Sequence, residues 1–222
     1  MDFSAPTSAD FANVARLNQA FLLRLRDSAA GVRLREALPA RAALLAAGLS
    51  DLQAGRLCKV PFLLMSLHER DEDYWRVLER PDPNLDLFEV SSPHGRPDPL
   101  SAAALSFLWQ LAGRNPYAAR LVSGATLSWC ERLCASTLID TLQRIACRKD
   151  FLEPRLASNE ALWDKLLGPG LSSNDSVRRA AHLTSLQVVL TEDPLSGYRQ
   201  MRPAACSVAV PTMSVADSGE RR

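Results

Sequence analysis

Lysine is nearly absent from this chain, occurring only at 59, 149 and 165, and histidine only at 68, 94 and 182. Aromatic residues make up 6%, which favours helices over aromatic-rich sheets. Charge of one sign is missing too. The 26 Lys and Arg nearly cancel the 25 Asp and Glu, so the chain as a whole is no strong polyanion binder, and nucleic-acid contact would need local basic clusters or a partner. No stretch approaches the roughly 20 apolar residues that cross a bilayer. Met1 to Asp10 has neither a basic start nor an apolar run, and reads as free of an export signal. The Gly-x-Ser-x-Gly, Gly-x-x-x-x-Gly-Lys and His-Glu-x-x-His motifs are also absent, and no histidine has a motif neighbour. The expectation is a protein that is not an enzyme and uses no cofactor.

What is present is a chain 47% hydrophobic and 23% charged, with the balance of an ordinary globular protein. Its cationic charge is almost all arginine, which suits bidentate pairing with phosphate or carboxylate and is equally what a GC-rich coding sequence produces. The five cysteines, at 58, 130, 134, 147 and 206, are odd in number and read as free thiols in a reducing cytoplasm. Cys130 and Cys134 would share a helix face, and Cys147 could join them. No second Cys/His pair completes the four ligands zinc requires, so core packing is expected and no metal site.

The strongest signal is an internal repeat. Phe21-Leu22 recurs as Phe107-Leu108 at an offset of 86, and Arg33-Leu34 as Arg120-Leu121 at 87. Leu45 and Ala47 meet Leu133 and Ala135 at 88. Asp51, Cys58, Lys59, Phe62, Leu63 and Leu67 meet Asp140, Cys147, Arg148, Phe151, Leu152 and Leu156 at 89, and Trp75 and Leu78 meet Trp163 and Leu166 at 88. Matched Cys, Phe and Trp are rare by chance, and single insertions in turns would explain the drift.

The fold expected is mainly α: two tandem helical modules, each with one short extended segment, joined by a Pro-rich linker. The first module spans 1–80, the linker 81–99 and the second module 100–168, with an additional helix over 169–192 and a disordered tail over 193–222. Each module opens with an amphipathic helix, carried by Phe11, Val14, Leu17, Phe21 and Leu25 in the first and by Leu105, Leu108, Trp109 and Ala112 in the second. Short helices follow at 31–36 and 116–122. Pro39 and Thr126 begin the next helices, which run to Ala47 and Ala135. Gly48 is expected to stop the first of these with a left-handed residue. Ser50-Asp51 and Ser136-Thr137 cap the helices after that, which end near Lys59 and Lys149. Phe62 to Leu67 and Phe151 to Leu156 read as short extended segments, and Pro154 confines the second to an edge. The acidic run Glu69, Asp71, Glu72 and Asp73 reads as first-turn charge for the helix holding Trp75. Two such small modules should pack together around Trp109, Trp129, Phe62 and Phe151.

One segment suggests nucleic-acid chemistry. Arg41 to Leu57 reads as a helix-turn-helix, with Ala46 inside, Gly48 at the turn, and Gln53 and Arg56 on the second helix. Its counterpart presents Gln143, Arg144 and Arg148. Gln and Arg are the side chains that read base edges, and Arg33, Arg35, Arg41, Arg114 and Arg120 form a basic fringe suited to phosphate. The tentative DNA-binding set is therefore Arg33, Arg41, Gln53, Arg56, Gln143, Arg144 and Arg148. Helical hairpins of this shape also serve plain packing roles, and Gly55 weakens the second helix.

The succession resembles FlhD, the small helical subunit of the flagellar master activator. In the first module the likeness rests on Leu17 to Arg26, Val32-Arg33-Leu34, Ala42 to Ala47, Leu49-Ser50, Leu52 to Cys58 and Phe62 to Leu67. In the second it rests on Phe107 to Leu111, Ala118 to Leu121, Leu133 to Ala135, Ser136-Thr137-Leu138 and Phe151 to Leu156. The resemblance implies a cytoplasmic all-α transcription regulator that dimerises and acts at promoters with an FlhC-like, zinc-bearing partner, contacting DNA through that complex. FlhD-like proteins usually carry one copy, so two in tandem suggest a chain that mimics within itself the dimer its relatives form between chains. The alternative is an adaptor or anti-activator that uses the same fold to hold a regulatory protein without touching DNA. A homodimer with no membrane association is expected in either case.

Overall fold

A computed structural model describes residues 5–27, 29–78, 97–146, 148 and 150–192. The described residues up to Thr191 form one compact unit. The tail expected over 193–222 lies outside the described residues, as do Cys147, Lys149, His94 and most of the linker.

The described residues hold eleven α-helices and two short strands. In chain order they are α1 (Ser8–Asp27), α2 (Ala29–Glu36), α3 (Ala40–Ala47), α4 (Asp51–Leu57), β1 (Met65–Ser66), α5 (Glu72–Leu78), α6 (Pro99–Arg114), α7 (Pro116–Ser123), α8 (Leu127–Ala135), α9 (Leu138–Ala146), β2 (Glu153–Pro154), α10 (Glu160–Leu167) and α11 (Asp175–Thr191), with a 3-10 turn at Pro169–Leu171. The mainly helical fold read from the sequence is thus present. Four helices, a two-residue strand and a fifth helix occur in that order twice.

Local chemistry sets most boundaries. Thr7 and Asp10 cap α1 reciprocally: Asp10 accepts from the Thr7 amide at 2.7 Å and Thr7 Oγ1 from the Asp10 amide at 3.2 Å. Ser50 and Gln53 form the same device at α4. Asn115 ends α6 and, with Pro116 behind it, accepts from the amides of Tyr117 and Ala118 to start α7. Gly124 closes α7 in the left-handed region at φ 66°. Gly48 does not act this way. Its φ is −93°, because Ser50 three residues from Ala47 already redirects the chain and no left-handed residue is required. Asp98 caps α6 and Pro99 begins it, so the expected linker boundary moves back into the helix.

The two halves meet along α1 and α6, which pack against each other and run antiparallel. Arg24 near the end of α1 reaches the α6 cap Asp98 at 2.5 Å, and Arg114 at the end of α6 reaches Asp10 at 2.6 Å. Val14, Phe21 and Leu25 are fully buried as expected, joined by Leu22 and Asn18, while Phe11 is 37% exposed and Leu17 lies at the edge. Trp129, Phe62 and Phe151 are in the core, but Trp109 is only half-buried. From the first half, Trp75 packs edge-on against Trp129 and Phe151 of the second, with centroids 5.4 and 5.9 Å away. Reciprocally, α10 of the second half packs on α3 of the first.

β1 and β2 pair antiparallel, Met65 with Pro154 and Ser66 with Glu153. The Arg155 amide extends the ladder by donating to Leu64 O at 2.7 Å. The paired residues lie 89 and 87 positions apart, on either side of the 88 that separates Trp75 from Trp163. Nearby, the Trp75 indole donates to Leu67 O and the Trp163 indole to Arg155 O. The residues after those carbonyls, His68 and Leu156, are the two non-glycine residues with positive φ among the described residues. This local geometry equates Leu67 with Arg155, one residue earlier than side-chain matching suggests.

Candidate functional site

The segment Phe62–Leu67 is extended and buried, so its backbone groups need partners that a helix would have supplied. Polar side chains provide them. Asn18, wholly buried in α1, donates to Phe62 O at 2.8 Å and accepts from the Leu64 amide at 2.8 Å. Arg155 Nε donates to Leu63 O at 3.1 Å and Nη2 to Met65 O at 2.5 Å, while Nη1 pairs with Glu69 Oε1. Glu69 Oε2 accepts from the Leu67 amide at 2.7 Å and from Ser66 Oγ at 2.9 Å. Burial draws the Arg155 pKa down to about 9, which leaves it protonated at neutral pH. Every one of these contacts is structural, and both ionised groups are almost fully withdrawn from solvent. Glu69 is therefore a buried counter-ion, not the helix-starting charge expected; among its neighbours in the run, Asp71 does take a capping role by accepting from the Tyr74 amide.

The tentative DNA-binding residues do not converge. In the first half, Gln53 is occupied by its capping box, with Oε1 accepting from the Ser50 amide at 2.9 Å. Ser50-x-x-Gln53 is the signature of such a box, so this role could have been read from the sequence. Arg56 Nη1 donates to Leu171 O at 3.0 Å, fastening α4 to the turn before α11. Arg33 and Arg41 are exposed, and Arg41 lies 3.6 Å from Asp164 of α10. In the second half, Arg148 lies over the Tyr74 ring at 5.1 Å. Gln143 and Arg144 are half-buried on α9. The two residues expected to read bases from α4 are thus both engaged in holding the fold.

The same segment exposes three leucines. Leu44 is 77% exposed, Leu52 67% and Leu45 42%. Leu44 and Leu45 lie on α3 and Leu52 on α4, which also holds the half-buried Gly55, where an added methyl would meet nothing within 4 Å.

Among the described residues no group of three His, Cys, Asp or Glu could hold a metal ion. Cys130 is fully buried, and burial pushes its thiol up to about 12, so it packs as an apolar group. Cys134 is half-buried and donates to Glu131 O. His68 stacks on Tyr74 with centroids 4.1 Å apart. His182 is buried with Nε2 at 3.1 Å from Gly170 O, and burial lowers its pKa. No helix among the described residues is long and apolar enough to cross a membrane.

Comparison with family models, curated proteins and solved structures finds no match to this chain.

Proposed function

We propose that this protein is a non-catalytic regulatory adaptor: a tandem, FlhD-like pseudo-dimer that holds a protein partner within a transcription-regulating complex and leaves DNA contact to that partner. The observation that carries this reading is the α3–α4 hairpin, where Leu44, Leu45 and Leu52 face solvent while Gln53 and Arg56 are tied to the fold. Exposed leucines on successive helices suit a protein contact surface, and engaged side chains are poor readers of base edges. The repeated order of elements and the matching indole bonds of Trp75 and Trp163 support duplication. In that arrangement each half covers the face that a second chain would cover in a single-copy relative. An FlhC-like protein is the partner the resemblance suggests, and a homodimer would use the same leucine face.

The test combines duplex DNA and a surface variant. The purified protein should give no salt-sensitive DNA shift, and Leu44→Glu/Leu52→Glu should fold normally while losing its co-purifying partner and any self-association. Tight DNA binding that collapses with rising salt, and that weakens on replacing Arg33, Arg41 and Arg144, would establish instead a regulator that contacts DNA directly.

A further inference from the structure

The chain has four tryptophans, and three of their indole N–H groups have a backbone acceptor. Trp75 donates to Leu67 O at 3.2 Å, Trp109 to Ser136 O at 2.8 Å and Trp163 to Arg155 O at 3.1 Å. Trp129 is different. It is only 2% exposed, and its Nε1 has no hydrogen-bond partner among the described residues. Withdrawing a donor from water without an acceptor is costly, and buried indoles normally find a partner.

Trp129 lines a narrow pocket between α8 and α9 whose other walls are Trp75, Arg132, Leu133, Ser136, Thr141 and Arg144. None of these residues is acidic. The Ser136 carbonyl is already taken by Trp109, and the Thr141 hydroxyl donates to Thr137 O at 2.8 Å. Arg144 has no ion-pair partner among the described residues, and Arg132 has only Glu72 at 3.9 Å, between two largely solvated side chains. A neutral buried donor and two partly exposed guanidinium groups therefore line a space whose enclosed end admits about one oxygen-sized group. Trp75 and Leu133 supply apolar walls.

We propose that this pocket takes a single carboxylate, supplied by an acidic side chain of a protein partner; that source rests on the adaptor reading, whereas the site itself does not. A planar carboxylate can place one oxygen in that space toward the indole N–H and leave the other oxygen and its methylene stem at the mouth, beside the arginines. The narrow space disfavours a tetrahedral oxyanion.

The experiment follows the four indole N–H signals of the full chain by NMR during titration with N-acetylglutamate α-methylamide, using the glutamine analogue and inorganic phosphate as controls. Trp129→Phe assigns the signal. The Trp129 resonance should move saturably with the glutamate compound while the other three stay near their carbonyl-bound positions. The glutamine analogue should leave it in place, and Arg132→Ala/Arg144→Ala should raise the midpoint about tenfold or more. The proposal is overturned if the signal stays still, if glutamine serves as well, if the double variant binds equally, or if phosphate binds at lower concentration. The Leu44→Glu/Leu52→Glu variant should retain the full response, so loss of the adaptor surface and loss of the carboxylate site are separately visible.

Discussion

Arg155 follows the second strand and is buried against Glu69, which follows the first. Through this pair a residue from each half satisfies the first half's least helical segment. Arg155 covers the carbonyls of Leu63 and Met65, while Glu69 holds the Leu67 amide and Ser66 hydroxyl. A charged pair at this depth is a poor source of net stability compared with a packed apolar pair, but either partner left alone is costly.

Arg155→Met should therefore lower stability by about 3–5 kcal/mol, because it strands the Glu69 carboxylate and uncovers two buried carbonyls. Glu69→Leu should cost a comparable amount. The double replacement should cost clearly less than the sum of the two, since it removes the isolated charge. Urea denaturation of the four proteins measures the coupling; additive losses would mean that the two groups do not act as a pair.

Trp75→Phe and Trp163→Phe should each destabilise by about 1–3 kcal/mol beyond the lost area, since each leaves a buried carbonyl without its donor. Their losses should be similar, as equivalent positions of a repeat would require. Trp129→Phe should cost less, having no such hydrogen bond to lose. Thermal or urea unfolding of the three variants provides the comparison.

Burial holds the His182 pKa below its ordinary 6.5, with the Gly170 carbonyl opposing that shift and Arg178 adding to it. As pH falls, the unfolded ring takes up its proton first and the folded ring only at lower pH. Stability from the neutral buried ring is consequently whole above about 6.5 and is lost as pH drops from there through the folded value. The melting temperature should decline as pH falls below His182's ordinary 6.5, and His182→Gln should flatten that part of the profile.

Asp98 both caps α6 and receives Arg24. Burial tends to raise its pKa, but the Ser101 amide and the Arg24 guanidinium outweigh that and hold it below the usual carboxylate value. Asp98→Ala should cost about 1–2 kcal/mol, most of it from the cap. Asp98→Asn keeps a capping oxygen and should lose only the partly solvated ion pair, about 0–1 kcal/mol. Equal losses from both replacements would shift the weight from the cap to the charge.

Much of the helical order is legible in the sequence because its causes are local. Periodic leucines, Thr7, Ser50, Asn115, Thr126 and Asn159 act within three or four residues of where they stand. The ends of α3 at Ala47 and of α8 at Ala135 were readable for that reason. Asn18 breaks an apolar stripe, and Glu69 and Arg155 look like surface charges, because each has a partner that lies between 40 and 92 residues away. The Leu44, Leu45 and Leu52 surface was equally hidden, since periodicity shows that a face is apolar but not whether another element covers it.

The chain alone determined its helices, its caps and the recurrence of one pattern about 88 residues apart, all of which depend on neighbours along the backbone. Tertiary structure decided which buried backbone groups needed a charged donor, which leucines stayed uncovered and which indole was left without an acceptor. Those outcomes depend on how two halves fill the same space. No local propensity encodes that.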